Sequence, residues 1–163
     1  MEVSIKQIPK SSRYVLENLF RYYVYDMSEF MSWKISGDGE YPFNADALAI
    51  YWQQDDHIPY FIYVSGALAG FALVKRLQHG KTLYDMEQFF VLRRFKGQGV
   101  GKQALAKVVA IHNGSWQIRV LKENTAAFHF WQSAITQVVG KRYKITEEKD
   151  GDLLMYFIQF RHL

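Results

Sequence analysis

The chain has no cysteine, which excludes disulfides, thiolate zinc ligands and a cysteine nucleophile, and which fits a reducing compartment without proving one. It also lacks any run approaching the roughly 18 consecutive apolar residues of a membrane-spanning helix. The opening residues MEVSIKQIPK carry neither the hydrophobic block nor the cleavage pattern of a secretory signal. A cytoplasmic protein with no membrane partner is therefore expected. A dense basic face is missing too: the net charge is +4, and the basic residues are scattered. With no recognisable nucleic-acid module, no nucleic-acid partner is expected. That small excess reads either as attraction for an anionic small ligand or as ordinary solubilising charge. Five scattered histidines show no paired ligand spacing, so no metal is expected.

What is present fits one globular domain over residues 1–163, with 49% hydrophobic and 22% charged residues and no repeat or low-complexity linker. Val3 and Ile5 alternate with polar residues in a first strand over 2–8. Ser11 or Ser12 is placed to cap a helix through Val15, Leu16, Leu19, Phe20 and Tyr23, and 45–53 reads as a second short helix after a loop over 36–44. Two apolar runs, 60–64 and 67–75, flank Ser65-Gly66 as a hairpin. A strand over 83–91 leads into a helix with Val100, Ala104, Leu105, Val108 and Val109 on one side. A strand with Trp116, Ile118 and Val120 on one face follows, then a helical stripe of Ala127, Phe130, Trp131, Ala134 and Ile135. Two last strands, near 137–146 and 152–160, pair through EEKDGD. This order predicts an α/β domain: a central twisted mixed sheet with helices on both faces. The final strand, if exposed, offers an edge for a homodimer.

The most informative stretch is VLRRFKGQGVGKQAL, residues 91–105. A strand breaks into basic residues, alternate glycines follow at 97, 99 and 101, and a helix begins. Glycines let backbone N–H groups approach a ligand, and a helix N-terminus adds unsatisfied donors and positive dipole, so the pattern suits a phosphate. Arg93, Arg94, Lys96 and Lys102 surround it with positive charge. A Walker A loop is excluded, because Lys96 stands where its first glycine belongs and Gln103 where Ser or Thr belongs. A Rossmann fingerprint is excluded by Lys102 at its third glycine. A ligand-free glycine turn is the plainer alternative for the glycines alone.

Lys96-Gly97-Gln98-Gly99-Val100-Gly101 resembles the pyrophosphate loop of the GNAT superfamily of N-acetyltransferases, with Lys in place of Gln or Arg at its first position. Asn124, Ala127, Phe130 and Trp131 fit a second motif of that family, in the expected order. The resemblance covers nearly the whole chain and implies the GNAT fold, acetyl-CoA as donor cosubstrate, and direct acetyl transfer to an amine of a small molecule or peptide. It further implies a pantetheine arm along the backbone of Phe89, Phe90 and Val91, and a pyrophosphate on the amides from Gly97 to Lys102, including Gln98, Gly99, Val100 and Gly101. The thioester would then lie between two separating strands.

Alternation on the strand before the loop puts Asp85, Glu87, Phe89 and Val91 on one face and Gln88 on the other. By resemblance Glu87 is the preferred catalytic base and Asp85 the alternative; partners for sheet-end cations are the plainer reading of both. Trp131 replaces the tyrosine acid usual in the family, and indole has no useful acid pKa. Tyr84, Tyr143 or water is left as proton donor, or Trp131 simply packs with Phe130. That departure also leaves open a coenzyme A-binding regulatory or sensor domain with little turnover. Asn124 reads as a helix N-cap or as a pantetheine contact. His129 reads as a surface residue. The acceptor site, by resemblance, draws on Tyr22, Tyr25, Asp26, Glu29, Phe30 and Trp33, with Tyr51 and Trp52 later in the chain. Asp26 and Glu29, three apart on one helical face among aromatic rings, suit a cationic amine unless the rings are core and the acids solvated.

Overall fold

The computed structural model describes residues 1–79 and 81–163. Strand β1 (Val3–Gln7) leads through a 3-10 turn into helix α1 (Arg13–Met27). Ser12 occupies the N-cap of α1, but its side chain makes no capping bond; Arg13 instead reaches Glu17 one turn on, at 2.8 Å. The expected second helix divides into a 3-10 turn, Ala45–Leu48, capped by the Asn44 side chain, and a one-turn α2 (Ile50–Gln53). Strands β2 (His57–Val64) and β3 (Ala67–His79) join through Ser65 at φ 48° and Gly66 at φ 84°. Two positive φ values match the right-handed twist of the flanking strands, which is why this dipeptide makes a tight hairpin. Strand β4 (Lys81–Val91), helix α3 (Val100–Ile111), strand β5 (Gly114–Leu121) and helix α4 (Thr125–Val139) follow. The chain ends in the hairpin of β6 (Tyr143–Asp150) and β7 (Leu153–His162).

Two details of that last hairpin differ from expectation. Helix α4 continues its apolar stripe to Val139, so β6 begins at Tyr143 rather than near 137, and Glu147 to Asp150 lie within the strand while Gly151 turns the chain at φ 62°. The sheet order is β1-β2-β3-β4-β5-β7-β6. The last strand is thus internal, paired on both sides, and does not supply the edge expected of it for a dimer.

All neighbouring pairs are antiparallel except β4 and β5. On one face, α3 and α4 bury Leu105, Val108, Trp131 and Ile135 against Ala72, Val74, Trp116 and Ile118. On the other, α1 and α2 bury Leu16, Leu19 and Tyr51 against Phe61, Phe71, Leu73 and Phe90. Where these helices cover it, each face of the sheet is dry, and the apolar area removed from water there is the main term holding the layers together.

The β3–β4 pair carries the irregularity that matters. Leu73 pairs with Gln88 and Val74 with Met86, so Glu87 is an extra residue on β4. Such a bulge bends a strand and raises its local twist. Pairing of β4 with β5 covers only Leu83–Asp85 against Ser115–Gln117 and stops just before the bulge. Beyond it no β4–β5 pairing is found among the described residues, so the β4 edge facing β5 is left there without ladder partners.

Gly70 on β3 lies opposite Val91, where an added Cβ would sit 2.0 Å from the Phe90 carbonyl oxygen. Backbone cannot rotate away as a side chain can. Gly70→Ala is expected to lower unfolding free energy by at least the 1–3 kcal/mol typical of overpacking, read as a drop in the urea midpoint; an unchanged midpoint would contradict the close β3–β4 approach.

Candidate active site

The bulge reverses the side-chain alternation of β4 and corrects the expected facing. Asp85 and Glu87 point toward the α1–α2 face, where they meet Arg119 and Tyr51, and Gln88 points there as well, accepting from the Tyr23 hydroxyl at 2.5 Å. Phe89 turns to the other face, 5.0 Å from Trp131 and 6.1 Å from Phe130 between ring centres. Phe90 packs with the α1 layer, and Val91 against the cluster beneath α3. One extra residue thus brings Glu87 and Gln88 side by side in the opening between β4 and β5.

That opening is a cleft of about 490 Å³, walled by α1 and the loop after it, by both diverging strands, by the start of α4 and by the β6–β7 hairpin. Glu87 lines it, and Oε1 accepts from the Tyr51 hydroxyl at 2.9 Å. Burial, reinforced by the Glu87 charge, pushes Tyr51 far above the ordinary tyrosine range, so it stays a neutral donor to this carboxylate. Burial raises Tyr23 similarly, against the opposing pull of Arg119.

Asp85 sits at the vertex, 2% exposed. Its Oδ2 accepts from Gln117 Nε2 at 2.6 Å, and Arg119 Nη2 donates to Oδ1 at 3.4 Å. Arg119 Nε lies 3.1 Å from Oδ2 but at an angle that forms no hydrogen bond, so the attraction there is coulombic. The same guanidinium donates through Nη1 to Asp150 at 2.8 Å, tying β5 to the end of β6. Burial works against the Arg119 charge, and the two carboxylates outweigh it. Asp85 is therefore held as an ion-pair partner, while Glu87 presents a carboxylate to the cleft.

The glycine loop follows a 3-10 turn at Arg93–Phe95. Gly97 at φ 77° and Gly99 at φ 78° adopt the left-handed conformation that L side chains resist, and nothing but solvent lies around a Cβ built at Gly97. The backbone N–H groups from Gly97 to Lys102 make no hydrogen bond among the described residues; the first helical amide to find a carbonyl is Gln103, bonded to Gly99 at 3.1 Å. Gly99 is the N-cap of α3 and offers no side chain to cap it. The third glycine serves differently from expectation. A Cβ on Gly101 would lie 2.7 Å from the Phe130 ring, so this position clears space for α4 to pack on α3.

The charges around the loop are also divided. Arg93 donates to Asp26 at 2.8 Å and Lys96 lies 3.9 Å from it, whereas Arg94 and Lys102 have no acidic partner among the described residues. Asp26 thus braces the loop rather than lining the acceptor side of the cleft. Free amides, two left-handed glycines, unpaired cations and an open strand edge fit an extended ligand bearing a diphosphate.

A model of the acetyltransferase (GNAT) family matches residues 22–134. The chain belongs to the GNAT family of acetyltransferases. Family membership carries acyltransferase chemistry, with acetyl-CoA as the family's acyl donor. No curated protein matches the chain. Solved structures share its fold at low identity. An aminoglycoside N(6′)-acetyltransferase from Legionella pneumophila is 14% identical with a TM-score of 0.69, covering 99% of this chain and 94% of its own. PaiA N-acetyltransferase from Thermoplasma acidophilum, solved in complex with coenzyme A, is 12% identical with a TM-score of 0.65 over 99% and 100%. The ribosomal-protein-S18-alanine N-acetyltransferase of Escherichia coli is 12% identical with a TM-score of 0.62 over 99% and 94%.

Within this GNAT domain Asn124 caps α4, its Oδ1 accepting from Ala127 N–H at 3.1 Å, and it lines the cleft as well. Trp131 is 8% exposed, packs on Phe89 and Phe130, and borders the cleft. Tyr84 is stacked on Trp116 and His112, and Tyr143 borders a separate groove with Lys141 and Arg142, so neither faces the cleft. His129 is exposed, as expected. Of the acceptor residues read from sequence, Trp33 lines the cleft. Tyr22 and Tyr25 are 58% and 59% exposed, and Glu29 lies beyond the end of α1 and is exposed as well. Trp52 is spent on the Ile8 carbonyl, at 2.9 Å. Sequence reasoning does not reach Tyr23, Phe43, Gln88, Arg119 and Asp150 as cleft residues; for Arg119 alone a signal is visible, the polar alternation of Gln117 and Arg119 against Trp116 and Ile118.

Asp85→Asn is expected to lower unfolding free energy by about 1.5–3 kcal/mol, the range for hydrogen bonds to charged groups, while leaving the shape of any pH–rate profile intact. Urea denaturation beside a pH series checks both; a displaced profile at unchanged stability would make Asp85 the proton acceptor.

Proposed function

We propose that the protein is an N-acetyltransferase that moves an acetyl group from acetyl-CoA directly to a primary amine of a small molecule or peptide. The observations that carry this reading are a strand edge without ladder partners beyond Asp85, the Glu87 carboxylate in the wall of the adjacent cleft, and, on the loop that follows the same strand, a row of amides unbonded among the described residues. The amides from Gly97 to Lys102 would hold the diphosphate, with Arg94 and Lys102 adding charge. The backbone of Phe89, Phe90 and Val91, unpaired on the β5 side, would accept the arm as an added strand. Bound in that way, acetyl-CoA supplies an activated acyl carbon at the point where β4 and β5 part.

This chain's contribution is position and proton handling. Tyr51 fixes Oε1 of Glu87, which leaves the other carboxylate oxygen to draw in an ammonium and take its proton. Two protons leave an ammonium in all: one is released to solvent before attack, and one departs as the N–C bond forms and is matched by the proton that sulfur takes as the C–S bond breaks. Glu87 and water relay that proton, because Trp131 has none to give and the buried Tyr23 and Tyr51 hold theirs too tightly. Gln88, held by Tyr23, keeps the adjacent wall polar without adding charge.

Glu87→Gln is expected to reduce kcat/KM about 10²–10⁴-fold near neutrality, with the deficit shrinking as pH approaches the ordinary amine range near 10, where the acceptor loses its proton unaided. Thiol release across pH checks this, and unchanged turnover and pH dependence would remove Glu87 from the reaction.

A further inference from the structure

The acceptor side of the cleft has a chemistry that the sequence did not suggest. Its wall is built from Phe20, Val24, Met27, Met31, Trp33 and Phe43, contributed by α1 and the loop after it. The Phe20 ring lies 5.3 Å from Tyr23 and 5.4 Å from Phe43, a continuous apolar surface. Two polar atoms set into this wall, the Tyr23 hydroxyl and Asn44 Oδ1, are already engaged. Tyr23 donates to Gln88, and Asn44 Oδ1 accepts from Asp46 N–H at 3.0 Å.

Carboxylates are correspondingly scarce. Among the described residues the two that line the cleft are Glu87 and Asp150, and Asp150 is ion-paired with Arg119 at 2.8 Å. Asp26, the acid nearest in sequence to this wall, is consumed by Arg93 and Lys96. Arg119 also lines the cleft, held between Asp85 and Asp150. Glu87 is therefore the one cleft carboxylate without an ion-pair partner among the described residues, beside a surface that rewards apolar contact. A polyamine or aminoglycoside would have to strip water from several ammonium groups that find no counter-charge here.

Resting on the amine-acetylation reading above, we infer that the acceptor is a singly charged primary amine carried on an aromatic or branched apolar body, and not a polycation. The Glu87 carboxylate takes the ammonium and the ring-and-methionine wall takes the body. Methionines at 27 and 31 let that wall adapt to more than one apolar shape.

The test compares kcat/KM for 2-phenylethylamine and leucine amide with spermidine and kanamycin at fixed acetyl-CoA, and measures binding of the same amines to the coenzyme A-saturated protein by titration calorimetry. The apolar amines are expected to exceed the polycations at least tenfold in kcat/KM, and to bind with a negative heat-capacity change. Met31→Glu places a carboxylate in the wall at a partly exposed loop position and is expected to shift the spermidine to phenylethylamine ratio at least tenfold toward spermidine. Polycations turned over as well as the apolar amines would overturn this inference and leave amine acetylation standing. Turnover of no amine, with coenzyme A still bound, would overturn both.

Discussion

Everything at this site depends on a single additional residue in β4. Because Glu87 has no register partner on β3, the strand bends away from β5 directly after Asp85, and the sheet opens where an α/β domain is otherwise closed. The same residue inverts the alternation, so two polar side chains face the opening while Phe89 is sent under α4 to anchor Trp131 and Phe130. A free backbone edge, a carboxylate and a rigid apolar support thus arise from one irregularity. Without it, Glu87 would remain on its face, but Gln88 and Phe89 would exchange sides and the edge would be spent on β5.

An opened sheet loses ladder hydrogen bonds, and the structure offsets this at the vertex. Asp85, nearly inaccessible, is bound by Gln117 and Arg119, and Arg119 extends the linkage to Asp150. This ties β4, β5 and β6 together below the gap, so the opening has a fixed width. At the other end Asp26 links the end of α1 to Arg93 and Lys96, joining the acceptor wall to the glycine loop. Two carboxylates that resemble functional acids in sequence thus stand in ion pairs. This division leaves Glu87 as the cleft carboxylate without an ion-pair partner among the described residues.

Local patterns revealed much of this, and long-range pairing revealed the rest. The Ser65-Gly66 hairpin, the apolar stripes of α1, α3 and α4, and the alternate glycines are written in short windows of sequence, and the helices and strands follow them closely. The bulge is not, because period-2 alternation assumes one residue per register step and Glu87-Gln88 carries no glycine to mark a break. The partner of Asp26 lies 67 positions away, and spacing along α1 cannot show that its carboxylate turns toward the loop rather than toward the acceptor. Gly101 illustrates a subtler limit: the motif gave it a ligand-facing reason, while the Phe130 ring shows a packing one. The wall of Phe20, Tyr23 and Phe43 was hidden in the same way, since a stripe that packs in a core and a stripe that lines a cleft have the same periodicity.

The central claim is that the open β4 edge and the free amides after it form one continuous binding track for coenzyme A. Amide chemical shifts of the ¹⁵N-labelled protein, followed through a coenzyme A titration, test this at each position. The account predicts saturable shifts that are largest from Gly97 to Lys102 and at Phe89, Phe90 and Val91. Shifts concentrated instead around the separate groove of Lys141, Arg142, Lys144 and Arg161, with the glycine loop unmoved, would contradict it.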